Sequence, residues 1–137
     1  MAIYSLKKSY LLKDLQETDF KDLWGDHGIF TTMWIFGKPP KILFFQKHIK
    51  NLIKSLKKYH VKKRSLKKDI LKIINENLSK KLHYNHLLRV AVNKKIISLS
   101  LRKRLSTKSN FVLKLVDLKR EKPQYKNLKY KKIMRHL

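Results

Sequence analysis

The residues here whose chemistry could reach beyond packing are a few histidines and carboxylates and a great many lysines. His27 follows Asp26. An imidazole beside a carboxylate can move protons at neutral pH, although a loop histidine ahead of a strand has the same local sequence. His48 sits between Lys47 and Lys50 on a helical stretch and reads as a packing or capping residue. His83 and His86 are three apart and could share a helical face. No Asp, Glu or Cys nearby completes a zinc set. There is no Ser-His-Asp constellation and no phosphate-loop glycine run. Three glycines in the whole chain are too few for a dinucleotide fingerprint. The absence of cysteine excludes disulfides and thiolate metal sites.

Lysine and arginine total 35 against 9 acidic residues, giving a net charge of +26. Such a chain attracts polyanions, so non-specific nucleic-acid binding is expected of it. The lysines are nevertheless spread along the chain, and Ile, Leu and Asn are also abundant. That pattern reads first as a compositional bias towards lysine on solvated faces. The alternative is a small basic RNA-binding protein using Lys57-Lys58, Lys62-Lys63-Arg64 and Lys67-Lys68 around the turn between two helices. Stacking platforms for single strands need aromatics gathered on one basic surface. The aromatics here are scattered, and Phe44 and Phe45 read as core residues. No apolar run approaches the roughly 20 residues of a membrane span, and residues 1–13 do not read as a secretory signal. The expected partners therefore do not include a membrane, and the default location is cytoplasmic.

The elements that must position these side chains follow from periodicity. Tyr10–Leu12 reads as a short edge strand and Asp14–Asp22 as a turn or loop. Ile29–Phe36 is rich in β-branched and aromatic residues and reads as a strand. The turn chemistry of Gly37-Lys38-Pro39-Pro40 joins it to a second strand over Lys41–Phe45. From Gln46 to Tyr59 the period becomes helical, with Ile49, Leu52, Ile53 and Leu56 on one face. Ser65 is placed to cap a second helix, with Asp69 near the first turn and a stripe of Leu66, Ile70, Ile73, Ile74 and Leu78. Leu87–Val92 and Lys95–Leu101 read as strands joined at Asn93-Lys94, Phe111–Leu118 as a further strand, and residues 123–137 as a short helical stretch. Strands in hairpins with two adjacent helices predict an α+β fold: a mostly antiparallel sheet with two helices on one face.

Three segments, in order, resemble the class IV aminotransferase family, which includes branched-chain and D-amino-acid aminotransferases and aminodeoxychorismate lyase. Trp24-Gly25-Asp26-His27-Gly28-Ile29-Phe30-Thr31-Thr32 resembles the family's aromatic-Gly-Asp-Gly-x-Phe-x-Thr lead into a core strand, with one extra residue at His27. The Gly37–Leu56 hairpin and helix, containing His48-Ile49-Lys50-Asn51-Leu52-Ile53-Lys54-Ser55, is similar to its His-x-x-Arg-Leu-x-x-Ser helix. Arg120 to Tyr130 resembles its Lys-x-Leu-Asn-Tyr box. The resemblance implies a pyridoxal 5'-phosphate enzyme, a transaminase or lyase, with Lys126 as the catalytic, cofactor-bearing lysine. A lysine acts in such chemistry as the free amine.

The departures from the family are specific. The phosphate-binding arginine of its helix is Asn51 here, which retains a hydrogen-bond donor but no charge. The asparagine of the lysine box is Lys129. The Thr-Arg-Gly of the D-amino-acid branch aligns with Ala91-Val92-Asn93, which argues against that branch. Arg89 falls near an arginine of the branched-chain branch and is the substrate-binding candidate, while Gly28–Thr32 resembles the lyase branch. Two reactions are therefore expected: transamination between an amino acid and a keto acid, or pyruvate elimination from aminodeoxychorismate. Residues 1–122 are expected to form an amino-terminal α+β domain, and 123–137 the lysine box and the start of a missing second domain. Eleven residues follow Lys126. The family pattern implies a homodimer or a complementing carboxy-terminal half, and activity of the short chain alone is in doubt.

Overall fold

The computed structural model describes residues 3–105 together with Leu115, Tyr125, Lys126 and Leu128. Six strands and two helices make up the described part: β1 (Tyr4–Leu11), β2 (Glu17–Thr18), β3 (Gly28–Gly37), β4 (Lys41–Ile42), α1 (Phe45–Leu56), α2 (Leu66–Asn77), β5 (Tyr84–Asn93) and β6 (Ile96–Lys103). A single 3-10 turn, Lys57–Tyr59, follows α1. The strands form one sheet in the order β2-β1-β6-β5-β3-β4. Every pairing is antiparallel.

Both helices pack on one face of this sheet. Along β3 the odd residues Ile29, Thr31, Met33 and Ile35 are buried, while Phe30, Thr32, Trp34 and Phe36 are half-buried on the other face. This period of two is what a pleated strand produces when one side meets a core. Leu88, Val90 and Val92 of β5 and Ile97, Leu99 and Leu101 of β6 join the same core. The helices contribute Ile49, Leu52 and Leu56 from α1 and Leu66, Ile70, Ile73 and Ile74 from α2. The α+β architecture expected from periodicity is the one observed. Among the described residues no helix is long and apolar enough to cross a membrane.

Local differences from expectation have identifiable causes. The first strand begins at Tyr4 rather than Tyr10 and pairs with β6 along its length, so it is an interior strand where Glu17–Thr18 also adds to it. Its alternation of charged and half-buried residues hid it. The second hairpin arm stops at Ile42, because Phe44 takes a left-handed φ of 54° and Phe45 opens α1. Gly37, at φ 85°, supplies the turn before it. Ser65 does precede α2, but its hydroxyl donates to Asp69 Oδ2 (2.9 Å) instead of capping a backbone amide. Lys63 Nζ meets the same carboxylate oxygen at 2.8 Å and also donates to the Leu12 carbonyl. The helix start is thereby tied to the end of β1. The expected strand at Phe111–Leu118 and helix at 123–137 lie outside the described residues, apart from Leu115, Tyr125, Lys126 and Leu128.

Candidate active site

Lys126 reaches the domain through β3. The Phe30 amide donates to the Lys126 carbonyl (2.9 Å), and the Leu128 amide donates to the Gly28 carbonyl (3.0 Å). That reciprocal spacing is the antiparallel ladder pattern. It lays this stretch along the edge of β3 that β4 leaves free, since β4 pairs only at Ile35 and Phe36. The Leu128 carbonyl accepts from the Gly25 amide at 2.7 Å, and the Leu128 side chain is fully buried. A Cβ on Gly28 would lie 2.8 Å from Leu128 Cδ1 and would collide with the Val92 carbonyl oxygen. The glycine is what lets the segment approach.

Beside this edge lies a cavity of about 720 Å³, within the range of sites for small molecules and cofactors. Its wall on the strand side is Ile29, Phe30 and Thr31, and Tyr125 and Lys126 also line it. The opposite wall is the face of α1 that carries Lys47, His48, Asn51, Lys54 and Ser55, with Lys58 of the following 3-10 turn. Thr31 Oγ1 and His48 Nδ1 share a hydrogen bond of 2.9 Å that bridges the two walls. No carboxylate lines the cavity among the described residues. Burial lowers the His48 pKa below its ordinary 6.5, and the positive charges of Lys126 and Lys47 lower it further. His48 is therefore mostly neutral at pH 7, and the space around it is electropositive.

Two of the three residues singled out in the sequence thus line one cavity: Lys126 and Asn51, both exposed. Arg89 does not line it. Arg89 stands opposite Thr32 on the sheet face away from the helices. Its guanidinium stacks on Trp24, 3.8 Å from the ring centroid, and lies 5.4 Å from that of Phe30. Nη1 donates to the Asp22 carbonyl at 2.9 Å, while the buried Nε and Nη2 have no partner among the described residues. Burial pushes the Arg89 pKa down to about 10, against the opposing pull of Asp22 and Tyr4, which leaves it charged at neutral pH.

Other expectations resolve at the same level. The Asp26 carboxylate accepts from Asn93 Nδ2 at 3.2 Å, and His27 is an exposed loop residue. Phe45 packs against the core as expected, but Phe44 is exposed and lines the cavity. His86 Nδ1 accepts from the Asn85 amide at 3.0 Å, and His83 is exposed. Reading the sequence also missed Lys47, Lys54, Lys58, Thr31 and Tyr125 as cavity residues. The 47, 51, 54, 58 spacing was a usable signal for the first three, since it repeats at helical intervals. For Thr31 and Tyr125 there was no such signal.

The class IV amino-transferase family matches residues 28–137. No curated protein and no solved structure gave a match. The match covers most of the chain, including β3, α1 and the lysine segment that together frame the cavity, and the chain belongs to that family.

Proposed function

We propose that this chain works as a pyridoxal 5'-phosphate enzyme, either an amino-acid transaminase or the related aminodeoxychorismate lyase, with its cofactor in the cavity between α1 and the edge of β3. The observation that carries this reading is the meeting of Lys126 with the His48–Asn51 stretch of α1 across one cavity, although they are far apart in sequence. The residues present suit the cofactor: a lysine amine for its aldehyde, a hydrogen-bonded wall at Thr31 and His48, and cations for its phosphate. Once bound, the cofactor supplies an electron sink for carbanionic chemistry. The amine of Lys126 would hold the cofactor covalently and, when released, move the substrate's proton. The neutral His48 imidazole, held by Thr31, would orient the wall without adding a cation.

A pyridine nitrogen is usually held by an acid, and the described wall offers none. In this reading the acid comes from a second domain or a partner chain, in keeping with the family's usual dimers. Arg89 could serve a substrate carboxylate only for a molecule reaching it from the sheet face opposite α1.

The test is to add pyridoxal 5'-phosphate to the chain and follow the absorbance band of lysine-bound cofactor. Borohydride reduction and mass spectrometry then locate the label. Selective labelling of Lys126, lost in Lys126→Ala, is expected. Even labelling across the many lysines would sink the proposal.

A further inference from the structure

Lys47, Asn51 and Lys54 of α1 and Lys58 of the following 3-10 turn recur at intervals of four, three and four, and all line the cavity. Such spacing aligns side chains on one helical face. Lys47 stands four residues before Asn51 and Lys54 three after it. At 1.5 Å per residue these are about 6 and about 4.5 Å along the axis, both within reach of a lysine side chain. Lys58 lies beyond the end of α1, in the 3-10 turn Lys57–Tyr59, roughly 10 Å or more along the axis from Asn51, and is too far to share a ligand there. Both near lysines are exposed, and neither has an ion pair among the described residues. The His48 pKa is lowered first by burial and then by the charges of Lys126 and Lys47, and no carboxylate lines this wall among the described residues.

We infer that Lys47 and Lys54 together hold the phosphate monoester of the bound ligand over Asn51, restoring from two neighbouring turns the charge that an arginine at position 51 would have brought. The inference rests on the function proposed above. Asn51 supplies the directional amide donor, and the two ammonium groups supply charge as point cations. No bond is made or broken in this step. The ligand class is a phosphorylated aldehyde small enough to place its carbonyl near Lys126.

The full-length chain is titrated with pyridoxal 5'-phosphate and, separately, with pyridoxal, which lacks the phosphate. The signal is the absorbance of the lysine-bound adduct, with borohydride mapping to count only product at Lys126. The Lys47→Gln/Lys54→Gln double variant should weaken the phosphorylated ligand by about tenfold or more and leave pyridoxal unchanged. Lys50→Gln, which removes a cation from α1 outside the cavity, should change neither. Asn51→Arg added to the double variant should recover most of the lost affinity. The inference is overturned if the double variant binds the phosphorylated ligand as wild type does, if pyridoxal weakens in parallel, or if Lys50→Gln costs as much. In those cases the Lys126 adduct still forms and the cofactor reading stands. If wild type forms no selective Lys126 adduct with either aldehyde, both readings fail together.

Discussion

The two faces of the sheet are closed by different means. On one face α1 and α2 lay a continuous apolar layer over β3, β5 and β6, with Ile35, Ile49, Leu56 and Ile70 fully removed from solvent. On the other, a small cluster of Leu23, Ala91, Ile96 and Leu128 is buried, with Trp24 and Phe30 packed against it. Polar links extend that cover. Ser9 and Ser98 share a hydrogen bond of 2.7 Å, the Lys21 amide donates to Ser9 Oγ at 2.9 Å, and Ser98 Oγ donates to the Lys21 carbonyl at 2.6 Å. The first face draws its stability from periodic apolar stripes. The second is assembled from separate loops and the segment at Leu128, so it reports whether the lysine stretch is docked. The cavity lies where these two arrangements meet, at the free edge of β3.

The largest effect should come from the helix-covered face. Ile70→Ala removes a side chain of 0% exposure and should cost about 2–5 kcal/mol in denaturant unfolding. A cost below about 1 kcal/mol would mean that face is loosely packed, since even Ile→Val removes that much from many cores. This substitution should leave selective labelling of Lys126 intact in the molecules that remain folded.

Gly28→Ala tests the other arrangement. Its new methyl meets the Val92 carbonyl and Leu128, an overpacking that typically costs about 1–3 kcal/mol. Here the stability loss should be the smaller one, yet Lys126 labelling should fall sharply, because the ladder that carries Lys126 starts at Gly28. A Gly28→Ala chain that is destabilised but still labels Lys126 as well as wild type would show that the Leu128 anchor does not position the lysine.

The smallest effect concerns pH. His48 has a folded-state pKa below its unfolded 6.5. Above pH 6.5 both states are neutral at this residue and it contributes no pH dependence. As pH falls below 6.5 the unfolded chain takes up the proton first, so stability declines until the folded value is passed. His48→Gln should flatten that slope. NMR titration should place the His48 midpoint below 6.5, and Lys47→Gln should move it up. A midpoint above 6.5 would contradict an electropositive cavity wall.

Much of the fold was legible in the amino-acid order because its elements are locally periodic. The β-branched run of β3 and the apolar stripes of α1 and α2 each announce themselves within a dozen residues. β1 was legible only in part, since its Lys7, Lys8 and Ser9 interrupt any apolar run and its pairing with β6 is remote in sequence. The break at Phe44 was not legible, because a left-handed phenylalanine is a tertiary outcome with no local signal. The resemblance drew attention to Lys126, Asn51 and Arg89 as residues, but adjacency is a property of the folded sheet.

By itself, then, the sequence determined the family, the α+β layering and the cationic spacing along α1, since these depend on residue type and on periods of two and 3.6. Tertiary structure alone decided that the Lys126 stretch is stitched to the free edge of β3, that it faces α1 across a cavity, and that Arg89 lies on the opposite side of the sheet. Those outcomes depend on strand order and on which edge β4 leaves open. Hydrogen bonds between segments about a hundred residues apart leave no trace in local composition.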